Sequence, residues 1–478
     1  MRGRERSVGI IGAGIGGLVA AISLARLGHR VVLCEADAAP GGKLRRIPLG
    51  QGSIEIGPAA LTLRPVFAQI FAEAGQRLED HLSLTPRDAP VRHVFADGSV
   101  LDLPMAEEAA AEAITRFAGP AEARGYRAFR ARARAAFATL EESLLKRARP
   151  TALGLASQAG VARLLATGPF TTLWDALGEH FRDPRLRQLF ARTAGYVGSS
   201  PLQAPATLML VADVEHQGSW WVEGGMSRLA FALAELARAA GVELRLDTRV
   251  AEILAAGGRV SGLRLDSGET LACDAVVANA DPAALAAGRL GATAARAVAA
   301  VPVMKRSFSA LLWAMEARID APDLPAETVL HGADPAAEYG ALAWRGRLPA
   351  DPSITLLAPG TGRLLAMIHA PARGDSGQPD GAALAAAEAN VLARLGRLGI
   401  TPGVTQRIGP TEFEAMFPGT GGALYGQAVQ GWQATFSRPS SRTKLAGLYL
   451  AGGGTHPGAG VAMAALSGRL AAAEISGG

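Results

Sequence analysis

Hydrophobic positions along this chain fall into two rhythms. Residues 8–11, 31–34 and 275–278 are short, almost wholly apolar runs bounded by turn residues, which read as strands buried on both faces. Between the first two lies an apolar stretch, 18–27, long enough for a helix, so the opening reads strand, glycine turn, helix, strand. Residues 62–74 read as a helix with Val66, Phe67, Ile70 and Phe71 on one face. Residues 91–95 and 100–103 flank Asp97-Gly98 as a hairpin. From 106 to 149 the pattern is helical and rich in alanine, arginine and glutamate. There Tyr126, Phe129, Ala133, Phe137, Leu140 and Leu144 recur every three or four residues as one stripe, ringed by Arg124, Arg127, Arg130, Arg132, Arg134 and Arg147. A basic amphipathic helix of this kind lies either in a membrane interface or on a protein core.

The stretch 153–177 is apolar and weakly punctuated, and Asp183-Pro184 opens a further helix. At Ser219-Trp220-Trp221 the α/β texture returns: helix 227–240, strand 242–246, and a hairpin of 260–265 with 269–273. Residues 307–315, 354–358 and 363–369 read as strands of a second sheet, and 382–398 as a helix. The chain closes with strand 448–451, a glycine-rich turn through residue 460 and a small-residue helix to about residue 475. This last unit repeats the strand–turn–helix form of the opening, so one domain is expected to be assembled from separated segments.

The opening turn carries Gly12, Gly14 and Gly17, with Ile15 and Gly16 between them. In a dinucleotide-binding turn the first glycine permits the tight bend and the second lets backbone approach a pyrophosphate. The third lets helix and strand pack closely. The helix N-terminus offers unpaired N–H groups to the phosphates. Glu35 ends the second strand at the spacing, about 20 residues on, of a carboxylate that binds ribose hydroxyls. Gly41-Gly42-Lys43 and the turn at Gly57 follow, each suited to a ligand lying against backbone. A nicotinamide could use the first turn as well as a flavin does. The second glycine–helix unit favours the flavin, whose ring needs its own anchor.

Composition narrows this picture. With 478 residues, 49% of them hydrophobic, two or three domains with a sizeable core are expected. The only two cysteines, Cys34 and Cys273, lie in apolar runs, which fits a reducing compartment rather than a disulfide framework. Arg2, Arg4 and Arg6 before an apolar run imitate a signal peptide, but cleavage would remove the glycine fingerprint. No stretch approaches the ~18–20 uninterrupted apolar residues of a membrane span. The net charge of +5 comes with no nucleic-acid motif, so an anionic membrane surface is the better partner and no nucleic acid is expected. No metal site is expected.

The fingerprint with Glu35, Gly41-Gly42-Lys43, Trp221-Val222-Glu223-Gly224-Gly225-Met226, Asn279-Ala280-Asp281-Pro282 and Gly453-Gly454-Thr455-His456-Pro457-Gly458-Ala459-Gly460 together resemble the phytoene desaturase family. These are bacterial FAD-dependent carotenoid desaturases within the amine-oxidase-like flavoproteins. Residues 56–64, 182–190 and 196–201 look more like the 1-hydroxycarotenoid 3,4-desaturases than phytoene desaturase itself, although Ala59 and Glu55 stand where threonine and aspartate are more usual. The resemblance implies an α/β fold: a Rossmann-like FAD domain (1–62 with 213–285 and 440–478), a mixed-sheet substrate domain (63–104 with 286–439) and a helical, membrane-facing region (105–212).

It further implies FAD held by Gly12, Gly14, Ile15, Gly16, Gly17 and Glu35, with Gly42, Lys43 and Gly57 along it and the Val250 backbone at adenine. Gly453, Gly454, Val461, Ala462 and Met463 would cradle the flavin. The implied partners are an acyclic carotenoid and, peripherally, the cytoplasmic side of a membrane. No protein acid or base stands out. His456 alone among the histidines lies in a cofactor motif, and Asp213, Glu215 and His216 have no catalytic spacing. A phytoene desaturase, an amine oxidase and a non-catalytic prenyl-lipid carrier are the alternatives on the same fold.

Overall fold

A computed structural model describes residues 5–320, 323–358, 362–377 and 380–477; Arg2 and Arg4 lie outside it. The segments read as buried strands meet in one parallel sheet, in the order Glu243–Arg245, Arg30–Cys34, Ser7–Ile11, Ala275–Ala278 and Leu448–Leu450. Both faces are covered, which explains why these strands are apolar throughout. Val8, Ile10, Leu33 and Val277 point into a core shared with helices Ile15–Arg26, Ser227–Ala239 and Val461–Ser476. Ile11, Cys34, Val276 and Ala278 point the other way, onto the ribbon of Val250–Ala256, Arg259–Leu265 and Thr270–Ala272. Both cysteines are buried there as free thiols. Helix Arg64–Glu73 also sends Phe67, Ile70 and Phe71 into the first of these cores.

The opening and closing helices cross in backbone contact. A Cβ on Gly468 would stand 2.2 Å from the Gly16 carbonyl oxygen. The two glycine turns are thereby held side by side at the carboxyl ends of two strands that flank Ala275–Ala278, where open α/β sheets bind their ligands.

The second sheet has seven strands: Ile400–Ile408, Ser309–Ile319, Arg363–Ala370, Ile354–Leu357, Glu327–Leu330, Val91–Val94 and Val100–Leu103. All pairs are antiparallel except Glu327–Leu330 with Val91–Val94. Trp313, Leu356, Leu364 and Ile368 pack beneath helix Gly381–Arg397, while Leu312, Leu357, Leu365 and Met367 face the opposite side with Ile56. Sequence reading found three of these strands and the hairpin. It missed Ile400–Ile408, an exposed edge strand carrying Pro402-Gly403, and Glu327–Leu330, too short for a period and opened by an acid.

Near this sheet, Glu338 is buried beside Ser353, whose N–H and hydroxyl donate to its carboxylate at 2.9 and 2.7 Å. Burial outweighs both bonds and pushes the carboxyl up to about 7. Between the ordinary carboxylate range and about 7 the folded protein binds the extra proton, so stability falls as pH rises through that window and then levels off. The loss is on the order of 3 kcal/mol. Glu338→Gln is expected to flatten this slope and raise the melting temperature at pH above 7, as measured by thermal unfolding across pH. An unchanged slope would refute the assignment.

The basic region forms two helices, Glu107–Ala118 and Pro120–Leu140, broken at Gly119, which sits at φ 95°. The Tyr126–Phe129–Ala133 stripe is fully buried against Phe181, Leu186 and Phe190. The arginines find acids that are distant in sequence register but adjacent in space: Arg127 with Glu108 (2.6 Å), Arg134 with Glu107 (2.8 Å) and Arg132 with Glu179 (2.7 Å). Of the two readings of this helix, the stripe meets a protein core. Among the described residues no helix is long and apolar enough to cross a membrane.

Candidate active site

The first glycine turn forms because Gly12, at φ 94°, can bend sharply while its N–H donates to the Cys34 carbonyl (2.8 Å). Helix Ile15–Arg26 starts directly after Gly14, with no side-chain cap. A Cβ on Gly17 would stand 2.1 Å from the Gly12 oxygen, and one on Gly16 would stand 2.8 Å from the Gly452 nitrogen. Beneath both turns lies Asn279, a residue that sequence reading placed in a motif but gave no role. Its amide donates to the Gly12 carbonyl (3.1 Å), and its side chain fills the space a Cβ would need at Gly14, Gly16 and Gly452. Its position straight after a buried strand was the available signal.

Glu35 is 8% exposed. Its carboxylate accepts from the Ala13 N–H (2.6 Å) and the Asp37 N–H (3.0 Å), which oppose the upward push of burial on its acidity. The acid is thus fixed at the rim of the glycine turn, with lone pairs left over for a diol. The Thr248 N–H donates to the Glu35 carbonyl at 2.7 Å, which brings Val250, at the start of its strand opposite Leu265, close to the acid.

Gly41 is zipped to the turn by its N–H to the Ala13 carbonyl (2.9 Å), which sets Gly42 against Gly14. Lys43 is half-buried, donates to the Leu424 carbonyl and lies 5.4 Å from the Phe417 ring centre. Burial lowers its pKa and Asp281 opposes this. Gly57 lies on the Lys43 backbone; a Cβ there would meet the Lys43 oxygen at 2.2 Å.

The second turn is organised by Arg438, which sequence reading did not single out. It lies in a stretch without helical or strand period, so no pattern marked it. Its guanidinium donates to the carbonyls of Tyr425 (3.0 Å), Gly453 (2.8 Å) and Gln427 (2.7 Å). Gly454 packs on Asp281, whose Oδ1 caps the next helix (3.0 Å to the Ala283 N–H). The other oxygen, Oδ2, is buried without a partner among the described residues. His456 is held structurally: its Nε2 lies 2.9 Å from the Leu144 carbonyl, and burial keeps the ring neutral. Gly460 then leads into helix Val461–Ser476, whose first N–H groups, on Val461, Ala462 and Met463, precede its first intrahelical bond at Ala464.

Residues 456–463, Lys43 and Gly57 together border a cavity of ≈ 670 Å³. Its walls are mainly Leu, Val, Met and Phe from the helical region and from the sheet face bearing Leu312, Leu357 and Met367. Asp213, Glu215 and His216 part company in space. Asp213 faces Arg130 (3.7 Å), His216 meets the Tyr126 hydroxyl (3.0 Å), and Glu215 enters the cavity.

The residues fit FAD on structural grounds. The glycine cradle leaves no room for Cβ atoms, a fixed carboxylate ends the second strand, and a helix N-terminus and Lys43 both border the cavity. The sequence of the family described as "Flavin containing amine oxidoreductase" matches residues 15–476. The hydroxyneurosporene desaturase of Rubrivivax gelatinosus is 43% identical over 99% of this chain and 93% of its own. That of Cereibacter sphaeroides is 42% identical over 99% and 98%. Among solved structures, putrescine oxidase bound to putrescine superposes with a TM-score of 0.63 at 15% identity, over 99% of each chain, a similarity of fold alone. The chain belongs to the flavin-containing amine oxidoreductase family, in its carotenoid desaturase branch, and is an FAD-dependent oxidoreductase.

Proposed function

We propose that this enzyme desaturates a 1-hydroxylated acyclic carotenoid at C3–C4 during carotenoid biosynthesis. The observation that carries the reading is the single apolar chamber that meets the Lys43–Gly57 and 456–463 segments at one end. Full-length identity to hydroxyneurosporene desaturases supports the substrate class. Bound FAD would supply the two-electron acceptor for the hydride, with the neighbouring carbon's proton passing to solvent as the C–C single bond becomes double.

Gly12, Gly14, Ile15, Gly16, Gly17 and Glu35 would hold the ADP half, with Val250 at adenine. Gly42, Lys43 and Gly57 would lie along the cofactor, and Gly453, Gly454 and residues 461–463 around its ring. The N–H groups of Val461, Ala462 and Met463 are suited to stabilise negative charge there. The chamber walls exclude water and hold the polyene extended. The division into parts 1–62 with 213–285 and 440–478, 63–104 with 286–439, and 105–212 is our working description of how cofactor, floor and roof are contributed.

The test is the full-length, FAD-loaded enzyme with 1-hydroxyneurosporene in liposomes. A red shift from the added conjugation is expected. Turnover of phytoene without that shift would overturn the substrate assignment, and peroxide release with simple amines would support an amine oxidase instead.

A carotenoid dissolved in lipid must enter from the bilayer, and we place the enzyme peripherally on the cytoplasmic face of the membrane. Supporting this are Val161, Leu165, Phe170 and Trp432, which line the cavity and are also 60, 53, 69 and 44% exposed. An apolar rim of this size is costly in water and is stabilised in an interface. Phe170→Ser with Trp432→Ser is expected to weaken vesicle co-flotation by about tenfold. Equal flotation of both proteins would reject this rim as the docking face.

A further inference from the structure

Apart from Lys43, Arg45, Arg438 and His456 at the redox end, the chamber's apolar lining is interrupted where Arg87, Arg192, Glu215 and Glu327 converge, beside His216. They come from four separate elements: the loop before strand Val91–Val94, helix Pro184–Gly195, helix Leu210–His216 and the start of strand Glu327–Leu330. Arg87 pairs closely with Glu327 and lies over the Trp221 ring at 4.4 Å. Arg192 lies over Tyr196 at 4.9 Å and reaches no nearer than 3.8 Å to Glu327. Glu327 is thus spoken for by Arg87, and Arg192 Nη1 is buried without a hydrogen-bond partner among the described residues. Glu215 feels Arg192 and Arg87 through space only, with no hydrogen bond between them, and burial pushes its carboxyl up.

Such a cluster is a poor device for stability. Each buried donor or acceptor left unpaired costs about 1–3 kcal/mol, and apolar side chains of like volume would fill the wall at less cost. Glu215 and the Arg192 guanidinium border a chamber shaped for a hydrocarbon, with Nη1 itself just beneath that surface. They suit an apolar ligand that carries one hydroxyl.

The cluster also lies next to the redox end. Glu327 is cross-strand to Leu357, which packs in the same cluster as Ile56, the residue before Gly57. The Arg87 N–H donates to the Ser219 carbonyl (2.9 Å), and Ser219 is cross-strand to Thr62. Arg87 and Glu327 are thereby one cross-strand step from the 56–62 segment that borders the chamber.

We propose that Glu215 and Arg192 form a hydroxyl-recognition site that binds the tertiary alcohol at the end of the polyene and so selects the bond to be desaturated. This deepens, and rests on, the reading of the enzyme as a hydroxycarotenoid desaturase. The alcohol donates to the Glu215 carboxyl group and accepts from the Arg192 guanidinium. In a 1-hydroxycarotenoid only C2 separates the carbinol carbon from the C3–C4 bond, so anchoring the hydroxyl here keeps that bond at the redox end. A substrate without the hydroxyl would enter the same apolar chamber but leave both groups dry and unpaired. Rejection by unpaired polar groups is far stronger than rejection by a missing methylene. Arg87 and Glu327 act as positioning residues that fix the neighbourhood's charge.

The test uses the full-length, FAD-loaded enzyme in liposomes offered 1-hydroxyneurosporene and neurosporene in competition, with flavin absorbance verifying each variant's fold. The wild type is expected to favour the hydroxylated substrate by about 100-fold in kcat/KM. Glu215→Gln, which removes charge but keeps shape, should cut that preference by about tenfold, chiefly through KM. Arg192→Met should reduce it to near unity. Full preference retained in both variants overturns the hydroxyl site while leaving the desaturase reading intact. A wild type that converts neither polyene overturns the reading and this inference together.

Discussion

Replacing Gly17 with alanine is expected to give a colourless protein. The added Cβ would stand 2.1 Å from the Gly12 carbonyl oxygen and 3.1 Å from the Asn279 side chain. The first partner is backbone and cannot swing away, so either the turn opens or helix Ile15–Arg26 moves off its strand. Overpacking of this kind costs about 1–3 kcal/mol of stability. The larger effect falls on the cofactor, because the N–H groups for the pyrophosphate are set by that turn. We expect FAD affinity to drop by about 100-fold or more, read as the visible flavin absorbance of purified protein. Gly396→Ala is the control. Its Cβ meets nothing within 4 Å, inside helix Gly381–Arg397, so the protein should stay yellow and no less stable. A yellow Gly17→Ala protein with full flavin content would refute the role of this close approach.

The second large effect is expected from Arg438→Met. The guanidinium joins the carbonyls of Tyr425 and Gln427 to that of Gly453 at 2.7–3.0 Å, so it fastens the loop before residue 431 to the closing glycine turn. Burial pulls its pKa down to about 10 and Asp281 resists this, which leaves it charged at neutral pH. Methionine fills the volume but leaves three partly buried carbonyls without this donor. A loss of about 3–5 kcal/mol is expected in denaturant unfolding, a large share of ordinary domain stability. Flavin should be lost in parallel, since the turn that leads to Val461 is no longer held. Arg438→Lys should fall between, because a lysine ammonium cannot reproduce the planar fork. A Met variant within about 1 kcal/mol of wild type would refute this account.

The sequence made the first turn, the second turn and their shared domain readable for one physical reason. Both are local: three or four glycines, a strand before and a helix after lie within one short stretch. The apolar runs in residues 307–315 and 363–369 likewise announced strands of a second sheet, because each covers one face of the cavity and one of a helix. What stayed hidden depends on partners far away in the chain. Asn279 and Arg438 are ordinary polar residues until the fold places carbonyls and glycines around them. The arginines of helix Pro120–Leu140 look like an unpaired basic face until Glu107, Glu108 and Glu179 arrive from other helices.

The sequence by itself determined two strand–glycine turn–helix units far apart in the chain, the form that suits a dinucleotide cofactor, since helix N-termini and glycine spacing act locally. Only the tertiary structure decided how those turns meet, through the backbone contact of Gly16 with Gly468 and the wedge of Asn279. It also decided where the apolar wall turns polar. Glu215, Arg192 and Glu327 become one site only when two helices and a strand converge on the same chamber, and no spacing along the chain encodes that convergence.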